Sequence, residues 1–128
     1  KMYKKFKNKK ASISTTVFNN KFGTSEYGRE NNVYVKKNSF VSKYDKLRVD
    51  KRLNGVDIGF FLIKKEYLKN FQDLDKNYSF EDDILKKAIE HKELIAYKTN
   101  LQYYSITNIK MLKKFEKISK IKRLGHIE

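Results

Sequence analysis

The 128-residue sequence predicts a single α/β domain, a mixed sheet with flanking helices spanning residues 1–128. Two observations carry that reading. Short segments rich in β-branched and aromatic residues alternate with segments whose apolar residues recur at helical spacing, and no repeat, low-complexity tract or linker divides them. Nine Phe, nine Tyr and a nearly continuous apolar run from Val56 to Ile63 supply one core. A chain of this length buries roughly 65–70 % of the surface its unfolded form exposes, enough for that core.

The elements follow in order. Met2, Tyr3 and Phe6 stand at helical spacing among lysines and predict the tail of an amphipathic helix over residues 1–8. No N-cap precedes it, so it reads as cut into rather than started, and the opening Lys1-Met2 fits an excised segment. Residues 11–18, rich in Ser, Thr, Ile and Val, predict a strand, and Asn19-Asn20 a turn. Residues 23–28 form a loop. Val33-Tyr34-Val35 and Phe40-Val41-Ser42-Lys43-Tyr44 alternate across Lys37-Asn38 as a hairpin. Residues 45–54 carry much charge and predict a surface loop. The run Val56–Ile63 is too short for an isolated helix, so it predicts a central strand buried on both faces.

A short helix is expected over residues 64–70. Ser79-Phe80-Glu81-Asp82 has the form of a capping box with Ser79 as N-cap, and Glu81, Asp82 and Asp83 suit the positive end of a helix dipole. Ile84, Leu85, Ala88 and Ile89 continue that helix. Two short strands are expected over 94–98 and 102–106. Asn108 then caps a last helix whose Met111, Leu112, Phe115 and Ile118 face the core, and residues 121–128 are unassigned.

Composition excludes several classes. Without cysteine there is neither a disulfide framework nor a thiolate metal site, and a cytoplasmic setting is the default. No apolar run approaches the ~18 residues of a membrane span, and the first ten residues lack a signal-peptide core. Net charge is +15, which raises nucleic-acid binding as an alternative. The charge is nearly all Lys, however, with only Arg29, Arg48, Arg52 and Arg123, and it is spread along the chain. It accompanies abundant Asn, Ile, Tyr and Phe and no proline, as A·T-biased coding produces. A nucleic-acid role would rest on Lys4 to Lys10 and Lys110 to Arg123.

There is no G-x-x-x-x-G-K-[ST] and no G-x-G-x-x-G, so nothing here cradles a triphosphate. His91 and His126 lack metal-ligand spacing and read as surface histidines, and the acidic run at 81–83 is explained by capping.

An ordered series of short motifs stands above this background. Ser14-Thr15-Thr16-Val17, Tyr27-Gly28, Tyr44-Asp45-Lys46, Val56-Asp57-Ile58-Gly59-Phe60-Phe61, Ser79-Phe80-Glu81 and Tyr103-Tyr104-Ser105-Ile106 occur in that order. In order and character the series resembles the C-terminal half of a sugar-1-phosphate nucleotidylyltransferase domain, a Rossmann-like fold, over residues 11–115.

The resemblance implies a sugar-phosphate-binding half. By that resemblance Gly28 lets backbone approach the sugar, Lys46 pairs with its phosphate, Asp45 or Asp57 accepts from its hydroxyls, and Gly59 permits close packing or close ligand approach within a strand. No catalytic residue is assigned. The complete family enzyme uses Mg²⁺ held partly by an Asp where Ser105 stands here, and a neutral hydroxyl is a poor replacement for a hard anionic ligand. No cofactor is expected for this chain alone. The expected partners are a sugar-1-phosphate, an N-terminal nucleotide-binding half in cis or in trans, and a second copy joined through an exposed sheet edge. The chain alone is not expected to transfer nucleotides. The alternatives are a non-catalytic sugar-phosphate-binding or scaffold module and, after it, a basic nucleic-acid-binding protein.

Overall fold

The computed structural model describes residues 1–73 and 75–124. Its centre is β1 (Ile13–Phe18), which lies between β4 (Val56–Ile63) and β5 (Leu94–Thr99) in a three-stranded sheet. β4 runs antiparallel to β1, from Ile13 opposite Ile63 to Phe18 opposite Val56. β5 runs parallel, from Ile13 opposite Leu94 to Phe18 opposite Thr99. A parallel neighbour requires a crossover. Here α2 (Lys65–Leu68), a 3₁₀ turn, a π-helical turn over Phe80–Leu85 and α3 (Lys86–Glu90) lie between β4 and β5. The result is a mixed sheet with helices, as the sequence predicts at that level.

The hairpin forms as expected from β2 (Val33–Val35) and β3 (Val41–Tyr44). It is joined to the main sheet at both ends: Val33 bridges Gly55, Phe40 bridges Ile95, and the Ala96 amide donates to the Ser39 carbonyl at 2.8 Å. Ile13, Val17, Val33, Val41, Leu85 and Leu94 meet in the principal core. α1 (Met2–Lys7) buries Phe6 against Ala11 and Ile95 in a smaller cluster.

Four expectations are corrected. β4 is an edge strand, not a central strand buried on both faces. Among the described residues it pairs as a strand only with β1, and between the Asp57–Val17 and Phe61–Thr15 pairs Ile58, Gly59 and Phe60 stand opposite Thr16 alone. That bulge, with Gly59 at φ 82°, leaves Phe60 66 % exposed. The central position belongs to β1, whose Ser14 and Thr15 are buried.

Residues 102–106 do not form a strand. Side chains hold them instead: Gln102 donates to the Thr24 carbonyl at 3.0 Å, and Tyr103 packs edge-on against Phe18. The last helix, α4 (Ile109–Leu124), is capped by Asn108, whose side chain accepts from the Met111 amide at 3.0 Å. Its Leu112 and Phe115 remain exposed rather than facing the core, with Phe115 reaching only as far as Tyr104 in ring contact. The loop over 45–54 also contributes to the interior, because Leu53 is buried and Asn54 extends the hairpin, exchanging two side-chain hydrogen bonds with the Val35 backbone.

The Ser79 cap forms with a difference. Its hydroxyl accepts from the Asp82 amide at 3.1 Å, yet the return bond to the Ser79 amide comes from Asp83 at 2.7 Å, one residue beyond the expected acceptor. The Ser79 carbonyl accepts from both Asp83 and Ile84, so the first turn is widened and brings the later carboxylate into reach.

Candidate functional site

The bulge of β4, the end of β3, the loop after it, the Ser79 helix start and residues 103–105 surround a cleft of about 720 Å³. Lys46, Asp57, Gly59 and Ser105 line it, four residues drawn from three separated segments of the chain. Tyr27, Tyr103, Tyr104, Phe60, Phe61 and Phe80 give it aromatic walls.

Asp57 is a partly buried carboxylate of the cleft. Thr15, buried on the central strand, donates its hydroxyl to Asp57 Oδ1 at 2.6 Å. The Gly59 amide donates to the same oxygen at 3.1 Å. The Asp57 amide in turn donates to Asn32 Oδ1 at 2.8 Å, fixing the backbone. Burial raises the pKa of Asp57 above the ordinary carboxylate value, because the desolvation outweighs these donors. Tyr44 lies between Asp57 and Glu81, 3.4 Å from the latter, and burial with two neighbouring carboxylates pushes its hydroxyl far above the usual phenol range.

Gly59 occupies the left-handed region, and a Cβ there would meet nothing within 4 Å. It therefore leaves open space beside Asp57 and is required by the turn of the bulge rather than by packing.

Lys46 is exposed, and its ammonium stands 2.8 Å from Glu81 and 2.8 Å from Asp82. These hydrogen bonds, Asp82 first, raise its pKa and lower that of Asp82. The cation expected to meet a phosphate is thus held by the first turn of the Ser79 helix.

The other two expected binding residues are not among the residues lining the cleft. Asp45 accepts from the Leu47 amide at 3.0 Å and the Asp50 amide at 3.3 Å, so its carboxylate organises the loop that carries Lys46. Gly28 sits at φ 61° in a tight turn, where its carbonyl accepts from Asn20 and Ser25 at 2.8 Å each. Its neighbour Tyr27 lines the cleft in its place.

Sequence reasoning did not single out Thr15, Tyr44, Tyr27 or Arg48 as site residues. Thr15 and Tyr44 stand inside quoted motifs, but the role of Thr15 depends on the register of β1 with β4 and that of Tyr44 on where the hairpin ends beside Asp57 and Glu81. Arg48 lines the cleft from a positive-φ position, and its guanidinium carbon lies 3.7 Å from the Tyr27 ring centroid. No signal in the sequence marks that conformation.

Among the described residues no group of three or more His, Asp or Glu side chains comes together to hold a metal ion. Ser105 offers a neutral hydroxyl, one oxygen of Asp57 already accepts from Thr15 and Gly59, and Glu81 faces the Lys46 ammonium and the Tyr44 hydroxyl. These residues do not fit the metal that the resemblance implies. His91 stands at the surface, 4.0 Å from Glu93, and His126 lies outside the described residues. No helix among the described residues is long and apolar enough to cross a membrane.

No protein-family model matches the chain, and no curated protein sequence matches it significantly.

Proposed function

We propose that the cleft is the sugar-phosphate-binding wall of a sugar-1-phosphate nucleotidylyltransferase, with the nucleotide-binding half supplied by other sequence in cis or in trans. One observation carries the reading. Three of the five positions that the sequence resemblance assigns to sugar-phosphate binding, Lys46, Asp57 and Gly59, line one cleft together with Ser105.

The local chemistry suits a hydroxyl-rich ligand with an anionic end. Asp57 is held by donors but keeps a carboxylate able to accept from sugar hydroxyls, and the missing side chain at Gly59 lets a ring approach it. Tyr27, Tyr103 and Tyr104 offer faces and edges for the apolar side of a sugar ring. Lys46 and Arg48 provide positive charge. No glycine-rich phosphate loop accompanies them, so the chain binds without transferring nucleotides. The Rossmann-like classification, a cytoplasmic setting and pairing of the unpaired edge of β4 with further sequence or a second copy belong to the same proposal.

Ser105 favours a second reading, a sugar-phosphate-binding module that never acquires activity, because the position supplies no anionic metal ligand. The test combines calorimetric titration of hexose 1-phosphates with pyrophosphate-release assays. Saturable binding is expected, weakened about tenfold or more by Asp57→Asn, as loss of a charge-assisted bond implies, with no pyrophosphate released. Absence of binding across the panel, or affinity indifferent to Asp57→Asn, defeats the proposal. Activity that appears when an upstream half is added separates the enzyme half from the inert module. If nucleic acid is bound instead, affinity falls steeply with salt.

A further inference from the structure

The two cations of the cleft are not equivalent. Lys46 already faces two carboxylates, Glu81 and Asp82, each at 2.8 Å, so an incoming anion must displace them. Arg48 has no carboxylate within ion-pair distance among the described residues. One of its N–H groups donates to the Glu30 carbonyl at 3.3 Å, and its guanidinium carbon lies over the Tyr27 ring, 3.7 Å from the centroid. A guanidinium stacked on an aromatic face keeps its remaining in-plane donors directed outward, the geometry that suits a phosphate.

The backbone shows that this placement is built. Arg48 has φ 57°, a conformation that side-chain-bearing residues adopt at a cost. The loop holds it there: the Arg48 amide donates to the Asp45 carbonyl at 3.2 Å, and the Asp45 carboxylate ties down the amides of Leu47 and Asp50. Asp50 is itself fixed by Arg52 and Lys43 at 2.8 and 2.7 Å. The loop therefore presents Arg48 half-buried in the cleft wall.

The carboxylates facing the same space decide what kind of anion fits. Asp57 and Glu81 have donors of their own, whereas Glu26 lines the cleft as a further negative charge. A compact anion on the Arg48 side, joined to a neutral hydroxyl-bearing part that reaches Asp57, satisfies both.

We infer that Arg48, stacked on Tyr27, is the phosphate-binding group of the cleft, and that Lys46 serves chiefly to tie the loop to the Ser79 helix. The inference rests on the reading of the cleft proposed above and refines which residue takes the phosphate.

The test is amide-resolved NMR titration of the 128-residue chain with inorganic phosphate and, separately, with hexose 1-phosphates. The variants are Arg48→Gly, Arg48→Lys and Lys46→Ala. Glycine adopts the positive φ freely, so Arg48→Gly removes the guanidinium without backbone strain, and circular dichroism checks the fold. Saturable phosphate shifts at Tyr27 and Arg48 are expected, with hexose 1-phosphate affinity reduced about tenfold or more by Arg48→Gly, incompletely restored by Arg48→Lys, and reduced less by Lys46→Ala than by Arg48→Gly. The reverse ranking overturns the inference, as does phosphate that leaves Tyr27 and Arg48 unshifted. Phosphate binding abolished by Arg48→Gly, with no hexose 1-phosphate bound, supports the anion site and defeats the sugar reading instead.

Discussion

β1 and β4 are adjacent strands with opposite compositions and opposite fates. β1 carries Ser14, Thr15 and Thr16 and is the most enclosed strand, with Ile13 at 0 % and Thr15 at 1 % exposure. β4 carries the longest apolar run and is bulged and half open, with Phe60 the extreme. The contrast shows that place in a sheet follows from pairing on two edges rather than from hydrophobicity along the strand. A buried threonine is tolerated because its hydroxyl has an acceptor, Asp57, across the strand pair. An exposed phenylalanine is tolerated because the bulge that exposes it also shapes the cleft.

That contrast is open to direct attack. The largest effect is expected from Ile13→Ala on β1, which removes a fully buried side chain from the principal core and should cost about 2–5 kcal/mol in denaturant unfolding. Next comes Thr15→Val, similar in shape but lacking the donor; leaving the Asp57 carboxylate short of a partner should cost about 1–3 kcal/mol. Gly59→Ala creates no clash and imposes strain at positive φ alone, so about 1 kcal/mol is expected in the same measurement. Phe60→Ser should move stability by no more than about 0.5 kcal/mol, despite deleting the most conspicuous apolar residue of the run. Comparable losses for Phe60→Ser and Ile13→Ala would erase the distinction between the strands.

Acidity sharpens it further. Because the pKa of Asp57 is raised in the folded protein, the folded state binds more protons than the unfolded chain between the ordinary and the raised value. The Asp57 contribution therefore lowers stability as pH rises through that window, and the deficit persists above it. Asp57→Asn should accordingly gain thermal stability relative to the parent as pH rises through the window, while losing affinity for a hydroxyl-bearing ligand. Melting curves of both proteins across pH measure the difference, and parallel curves would show that burial at this position exerts no such effect.

Legibility in the sequence tracked how local the cause was. The amphipathic Met2 and Phe6, the hairpin around Lys37-Asn38 and the caps at Ser79 and Asn108 depend on neighbours a few residues away, and all appear in the fold. The edge position of β4 depends on β1 and β5, dozens of residues distant, so periodicity could not reveal it. Residues 102–106 have strand-like composition but are held by Gln102 and Tyr103 to loops rather than to a ladder. At the cleft, Lys46, Asp57, Gly59 and Ser105 could be named from motif order. Arg48 could not, because a non-glycine residue at positive φ leaves no mark in the sequence, and its contact with Tyr27 crosses two loops.

The topology bears on how the chain acquires its shape. Of the three strands in this sheet the central one is synthesised first, while its two neighbours come from residues 56–63 and 94–99. Closing Ile13 onto Leu94 requires nearly the whole intervening polypeptide, so few of its native pairings are local. A nascent chain holds an unsatisfied β1 until Thr99 has emerged, and folding is expected to be slow for the size of the domain and exposed to chaperone capture in the interval.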